Sequence, residues 1–452
     1  MVAMRRRVLA LAAVLGALVA WAGLAPAGAS NDPGFPGQWN LLQIGAPAAW
    51  ARTTGTVRVG VVDTGIDAGH EDIGAGRVVA FADCVGQPCA SAAPFDDEGH
   101  GTHVSGIVGA TKDNGKGVAG VAPTVQFVVA KALDKNGSGN VDDVNAGIHW
   151  VVDHGAQVVN LSLGSDPSNP VSVVAGFFGD TSLSDGVEYA WSHGAVAVLA
   201  AGNSNLLGVF GSSNYGSAHA VIVGATNPEG QVAYYSSPLG NAQWGVVAPG
   251  GEDTNTDDCS DTAQRGRCVL STWPGNNYAW AQGTSMATPH VTATLALLRS
   301  EGLSANDAVQ RLLATLAKVP CGSGCQGRVD AAAAVGLAPT PPPAVSQKGS
   351  GTPVPGTVVT PGRRTPPATT RRAQATTGPT ASPTSTAPTS VVPAGEGGSV
   401  QEAARPPAQV KTRNSGGGDG RIAQVAIAIA LLGGSAIGLG ALARALRAGA
   451  AS

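Results

Sequence analysis

The sequence predicts an α/β protein: a mostly parallel sheet with helices on both faces, followed by a disordered stalk and one transmembrane helix. Three observations carry that expectation. Between about Gln38 and Leu337, short apolar runs alternate with amphipathic stretches of helical length, the pattern of parallel strands joined by crossover helices. From Pro339 the composition shifts to Pro, Thr, Ser, Gly and Ala, which offer too little apolar surface to order a core. Near the end, the apolar run Ile422 to Ala443 is followed at once by arginines.

The segments can be justified in chain order. Arg5, Arg6 and Arg7 precede the apolar run Val8 to Leu24, and Ala27-Gly28-Ala29 supplies the small residues of a processing site, so residues 1–29 read as a secretory signal. Residues 30–337 form the folded domain. Within it, Val57 to Val62, Gln126 to Ala130, Val158 to Leu163, Val196 to Ala200, Ala220 to Gly224 and Trp244 to Ala248 read as strands. Asn140 to Asp153 and Ser184 to His193 read as amphipathic helices. Residues 338–420 form the Pro/Thr/Ser/Gly-rich linker and 421–443 the transmembrane helix. At about 1.5 Å per residue this helix crosses a hydrocarbon core of about 30 Å. Residues 444–452 form a tail that Arg444 and Arg447 hold in the cytoplasm, leaving the folded domain extracytoplasmic.

The 452 residues carry a net charge of only −3, with no basic patch interleaved with aromatics, so nucleic acid is not an expected partner. Six cysteines fall into three close pairs: Cys84 with Cys89, Cys259 with Cys268, and Cys321 with Cys325. In an exported chain this spacing suggests three local disulfides, although six cysteines permit other connectivities. A zinc site is the weaker reading, because the pairs lie far apart without histidines at the spacing of a finger.

Four segments carry chemistry. Val57 to Gly65 is an apolar strand pattern ending in a carboxylate, Asp63, beside a glycine turn; in a parallel sheet, ligands meet the carboxyl ends of strands. Gly99-His100-Gly101-Thr102-His103-Val104 places a histidine among small residues at a helix start. Gly283-Thr284-Ser285 places a hydroxyl at the start of the apolar helix pattern Val291 to Leu298, where unpaired amides favour developing negative charge. Serine needs a base, and His100, with an ordinary pKa of about 6.5, suits that role. Asp63 would accept the other imidazole N–H and fix the tautomer. Asp67 and Asp72 follow the turn and are expected to face solvent, while His103 is assigned to packing or orientation. Asn203, in Ala200-Ala201-Gly202-Asn203, can donate its amide to an oxyanion beside the Ser285 amide.

Together these segments resemble the subtilisin-like serine proteases. Val62-Asp63-Thr64-Gly65 is similar to the family's aspartate motif and His100-Gly101-Thr102-His103-Val104 to its histidine motif. Ala201-Gly202-Asn203 is similar to the oxyanion motif, and Gly283-Thr284-Ser285-Met286-Ala287-Thr288-Pro289 to the serine motif. The resemblance implies an endopeptidase acting on protein or peptide substrates, on a sheet of about seven parallel strands. It also implies that Ser162, Leu163 and Gly164, with Ala200, Ala201 and Gly202, line the S1 pocket and pair with substrate backbone.

The overall layout is similar to that of the mycosins, membrane-anchored subtilases of type VII secretion loci. That likeness implies a single-pass location in the cell membrane and a membrane secretion complex as partner. A catalytically idle peptide-binding scaffold is the alternative of another class; it would lack a triad member, and none is missing. The sequence departs from the family in leaving no room for a long folding prodomain between Ala29 and Gln38, and in having Gly211-Ser212-Ser213-Asn214-Tyr215-Gly216 where many members have a Tyr-Pro pair. No cofactor is required for the chemistry. Structural calcium is a candidate, since the run Glu252-Asp253-Thr254-Asn255-Thr256-Asp257-Asp258 offers hard oxygen donors, but the sequence assigns no ligand set.

Overall fold

The computed structural model describes residues 29–86, 88–163, 184–203, 215–255, 259–341 and the backbone of 358–359. In chain order the body begins with α1 (Trp39–Gln43) and α2 (Ala46–Ala49), then β1 (Arg58–Asp63), β2 (Val78–Asp83), β3 (Ala90–Ser91) and α3 (His100–Gly109). Next come β4 (Gln126–Lys131), α4 (Val141–Asp153), β5 (Val158–Leu161), α5 (Ser184–Ser192), β6 (Val196–Ala200), β7 (Ala220–Thr226) and β8 (Trp244–Pro249). The hairpin β9 (Val269–Trp273) and β10 (Asn277–Ala281) leads into the long helix α6 (Thr284–Ser300), then α7 (Ala305–Ala314), β11 (Cys325–Arg328), α8 (Ala331–Ala334) and β12 (Val358–Val359).

The main sheet corrects the expected strand number. It has nine strands in the order β11-β8-β7-β6-β5-β1-β4-β2-β3, and it is mixed, because β3 runs antiparallel to β2. The two edges account for the difference. Two-residue β3 and Cys-Gln-Gly-Arg of β11 have no apolar alternation to read, and they are held by backbone pairing to β2 and β8. A separate three-stranded sheet pairs β10 with β9 antiparallel and with β12 parallel.

The inner strands of the sheet are buried on both sides, so they read as near-continuous apolar runs. Val59 and Val61 of β1 join a core with Val104 and Ile107 of α3 and Val291 and Leu295 of α6. Val62 points the other way, into a core with Val144, Ile148 and Val151 of α4. Each fully buried Val, Ile or Leu of this kind contributes about 1.5 to 3 kcal/mol of transfer free energy. β1 pairs with β4 on one side and β5 on the other. Sequence order reverses at that point, where open α/β sheets bind ligands beyond their strand ends.

The N-terminal segment is fastened to distant parts of the body by polar side chains. Gln38 Nε2 donates to Ala119 O at 2.8 Å, Trp39 Nε1 to Cys268 O at 3.0 Å, and Gln43 Nε2 to Asn227 O at 3.0 Å. Disulfides join Cys84 to Cys89, Cys259 to Cys268 and Cys321 to Cys325.

The membrane expectations are corrected as well. Among the described residues no helix is long and apolar enough to cross a membrane. The segment 421–443, like most of residues 1–29 and nearly all of the linker 338–420, lies outside the described residues. The anchor, the membrane as partner and the single-pass location rested on hydropathy, length and flanking charge, and a run of apolar residues does not by itself establish a spanning helix. They find no support in the structure.

Candidate active site

Asp63 closes β1 at the carboxyl end of the sheet with no exposed surface. Its Oδ1 accepts from the Thr64 amide at 2.7 Å and from His100 Nδ1 at 2.8 Å. His100 begins α3, and its side chain is 22 % exposed. The Asp63 bond assigns the imidazole proton to Nδ1 and leaves the lone pair on Nε2.

Two glycines and one carboxylate bring the strand end and the helix start together. A Cβ on Gly101 would lie 2.1 Å from Gly65 O, so only glycine lets α3 approach the turn after Asp63. Asp96 then clamps the two segments. Its Oδ1 accepts from Thr64 Oγ1 at 2.9 Å and the Gly99 amide at 2.8 Å, and its Oδ2 from the amide and hydroxyl of Thr102 at 2.9 and 2.6 Å. These bonds satisfy amides that the first turn of α3 would otherwise leave unpaired.

Ser285 lies in the first turn of α6 and is half-buried. Its hydroxyl donates to Ser162 O at 3.1 Å, and the Ser162 hydroxyl donates to Ser285 O at 2.8 Å. Asn203 follows β6, and its Oδ1 accepts from both the amide and the hydroxyl of Thr284 at 3.0 Å. With the oxygen so engaged, Nδ2 is the donor end of the amide. Gly283, at φ 146°, passes close by: a Cβ there would sit 3.3 Å from Asn203 Nδ2.

Of the residues expected to line S1, Ser162 and Gly202 bond to the start of α6. Ser162 and Leu163 follow β5, both buried, and Ala200 ends β6. The Gly202 amide donates to Thr284 Oγ1 at 3.1 Å, and Ala201 O accepts from Tyr215 OH at 3.2 Å. Gly164 and residues 211–214 lie outside the described residues.

The competing residues are accounted for. His103 is fully buried, with Nε2 against Ala279 O at 3.0 Å, and burial depresses its pKa to about 3. It is neutral and faces away from solvent, as a packing residue does. Asp72 corrects its expectation: it is buried rather than solvent-facing, accepting from the Val118 amide at 2.7 Å and Asn114 Nδ2 at 2.8 Å. Asp67 spends its carboxylate on the amides of Gly69 and Gly275 at 3.0 and 2.8 Å.

Two carboxylates of the acidic run are engaged by groups of the protein itself. Glu252 is buried, and its two oxygens accept from the Tyr234 amide and Asn227 Nδ2, each at 2.8 Å. Asp253 Oδ1 accepts from the Asn255 amide at 2.8 Å. Among the described residues no group of three or more His, Cys, Asp or Glu could hold a metal ion, and residues 256–258 lie outside them.

Sequence reasoning missed Asp96, Asn160 and Thr292. Asn160 Nδ2 donates to Ser162 Oγ at 2.9 Å, and its Oδ1 accepts from Thr292 Oγ1 at 2.9 Å. The available signal for Asn160 was an amide inside the apolar run Val158-Val159-Asn160-Leu161.

Comparison with known proteins gives the chain its relatives. Residues 54–338 match the model of the subtilase family, peptidase S8. The chain is 35 % identical over 316 residues to thermitase of Thermoactinomyces vulgaris, covering 68 % of this chain and 98 % of that protein. To subtilisin DY of Bacillus licheniformis it is 37 % identical over 263 residues, 57 % of this chain and 83 % of the other. A solved protease of Pseudoalteromonas arctica PAMC 21717 superposes with a TM-score of 0.55 at 30 % identity, covering 68 % of this chain and 98 % of that one. The mycosin-like architecture and the secretion-complex partner are corrected by these matches: the family match ends before the segments on which they rested. The chain belongs to the subtilase family and is a serine-type endopeptidase.

Proposed function

We propose that Asp63, His100 and Ser285 form the catalytic triad of this endopeptidase, with Asn203 Nδ2 and the Ser285 amide as oxyanion donors. The observation that carries the reading is the 2.8 Å bond between fully buried Asp63 Oδ1 and His100 Nδ1, made where a strand end meets a helix start. In this reading, His100 Nε2 takes the proton of the Ser285 hydroxyl as Oγ attacks the scissile carbonyl. That hydrogen leaves its resting acceptor, Ser162 O, for the imidazole. Asp63 stabilises the imidazolium without taking its proton. Charge on the tetrahedral oxygen falls to Asn203 and to the amide at the N-terminus of α6, where the helix dipole adds its effect. The intermediate collapses as His100 protonates the leaving amine. Water, deprotonated by the same imidazole, then hydrolyses the acyl-enzyme.

The substrate strand in this reading lies along Ser162, Leu163 and Gly164 on one side and Ala200, Ala201 and Gly202 on the other, with the side chain before the scissile bond entering between them. The positions of Ser162 and Gly202 beside Ser285 and Thr284 support it. The chemistry uses protein groups alone. Structural calcium is kept as a proposal about stability, checked by comparing unfolding midpoints in chelator and in added calcium.

Ser285→Ala, His100→Ala and Asp63→Asn test the assignment on a peptide substrate. Each should lower kcat by several orders of magnitude with the fold retained, and the double variants should lose little more, because the members act as a unit. Turnover of Ser285→Ala within about tenfold of the parent, in a preparation free of other proteases, would refute it.

A further inference from the structure

Asn160 is an unusual residue for its place. β5 lies inside the sheet with every residue buried, and a buried amide destabilises the fold unless its polar atoms are matched. They are matched by one chain of bonds. Thr292 Oγ1 donates to Asn160 Oδ1, Asn160 Nδ2 donates to Ser162 Oγ, and Ser162 Oγ donates to Ser285 O, at 2.9, 2.9 and 2.8 Å. Asn160 and Thr292 have no exposed surface, and Ser162 almost none.

Pro289 explains why the chain of bonds ends on that carbonyl. Along α6 the Ser285 carbonyl would accept from the amide four residues on, but that residue is Pro289, which has no amide hydrogen and whose ring crowds the same carbonyl. The Ser162 hydroxyl supplies the missing donor. Each bond in the chain also fixes the direction of the next. The Thr292 hydroxyl holds the Asn160 amide oxygen toward α6, so the NH2 group faces Ser162. That NH2 group occupies a lone pair of Ser162 Oγ, so the Ser162 hydrogen points to Ser285 O. Without Thr292 the amide is free to turn over, present its oxygen to Ser162 and draw that hydrogen away.

We propose that Asn160 and Thr292 are positioning residues for the nucleophile: acting through Ser162, they hold the Ser285 carbonyl that Pro289 releases from its helix and so fix where Oγ stands. Neither touches substrate. The inference rests on the reading of Ser285 as nucleophile, deepens it, and concerns the attacking group rather than the binding cleft.

The test replaces Thr292, which lies outside the cleft. Thr292→Val keeps the shape and removes the donor, and Thr292→Ser restores it; Thr292→Ala serves in place of Val if that variant does not fold. Four quantities are measured on folded protein: kcat and KM on a chromogenic peptide, the rate constant of inactivation by a fluorophosphonate, and the unfolding midpoint. Thr292→Val should lower kcat and the inactivation rate together by about tenfold with KM nearly unchanged, and Thr292→Ser should recover most of both. Combined with Ser162→Ala, Thr292→Val should add little, since both act on one carbonyl. A Thr292→Val enzyme that loses stability but keeps kcat and inactivation rate within about twofold of the parent would overturn the proposal, as would fully additive losses. Mass spectrometry locates the adduct on the parent. An adduct on a residue other than Ser285 would refute the nucleophile assignment itself, and the inference with it.

Discussion

The Gly101 amide donates to Thr64 Oγ1 at 2.9 Å, so the residue after Asp63 is bonded to the residue after His100. The same hydroxyl donates to Asp96 at 2.9 Å, which makes Thr64 the hinge pin between the strand that carries Asp63 and the helix that carries His100.

Thr64→Val removes both bonds at nearly constant volume and leaves the Gly101 amide without its partner. Stability should fall by about 1 to 3 kcal/mol, the cost of unmatched buried donors and acceptors. In addition kcat should fall more than KM changes, because the bond between Asp63 and His100 loses its outer support. Denaturant unfolding of a Ser285→Ala background, which avoids self-digestion, measures the first, and steady-state kinetics the second. An unaltered kcat would show that the bond between Asp63 and His100 holds without Thr64.

Asn203→Ala should lower kcat by about a hundredfold to a thousandfold with little effect on KM, since the donor serves charge present only in the transition state. The Thr284 bonds to Asn203 Oδ1 give the variant to compare. Asn203→Asp keeps an acceptor for Thr284 but puts a carboxylate where the Nδ2 donor stood, so it should lose at least as much kcat as Asn203→Ala. A loss appearing mainly in KM would move Asn203 to substrate binding.

His290 sets an acid limit on stability. Its Nδ1 donates to Met286 O at 2.8 Å and its Nε2 faces Asn40 Nδ2 at 2.8 Å, so the neutral ring is matched and the protonated ring is not. Burial depresses its pKa to about 4, and that of His103 to about 3. For a base with a depressed folded-state pKa, the stabilising contribution is present above the ordinary value of about 6.5 and is lost as pH falls through it toward the folded value. His290→Gln should therefore flatten the fall in unfolding free energy between about pH 6.5 and 4. An unchanged slope would remove His290 from the acid response.

Asp72 works in the opposite direction. Burial raises its carboxyl to about 7, against hydrogen bonds from the Val118 amide and Asn114 that lower it. A raised acid contributes stability below its ordinary pKa of about 3.8 and loses it as pH rises through the folded value. Asp72→Asn should gain on the parent by about 2 to 3 kcal/mol between pH 5 and pH 8, read as the difference between their unfolding free energies. A gap that stays constant over that range would show that Asp72 ionises normally.

Much of the candidate site's local setting was legible because each motif is local. Asp63, His100 and Ser285 each stand at a strand end or helix start that neighbouring residues announce, so their surroundings can be read from a few positions. What could not be read is what depends on residues far apart in the chain. Asp96 looks like one of three acidic loop residues until Thr64 and Thr102 close on it, and Thr292 is one more threonine in an apolar helix until Asn160 is found opposite. Asp72 was placed in solvent because turns usually are; the 113–118 loop covers it instead. Strands β1, β4, β5, β6, β7 and β8 announce themselves as apolar runs, whereas β11 does not, since its place comes from pairing with β8 rather than from side chains. The membrane expectation failed differently, as an inference from hydropathy that neither the described structure nor the family match supports.

The fastening of residues 38–43 also bears on how the chain comes together in time. The bond from Trp39 to Cys268 joins residues 229 apart in sequence, that from Asn40 to His290 residues 250 apart, and that from Gln43 to Asn227 residues 184 apart. Contacts of such long range close large loops, so they slow folding and form only after the segments they join have been collected. The stretch therefore docks only once the regions of Asn227, Cys268 and His290 are in place. For an enzyme that cleaves peptide chains, those buried bonds also keep residues 39–43 out of reach of neighbouring copies while the fold is closed.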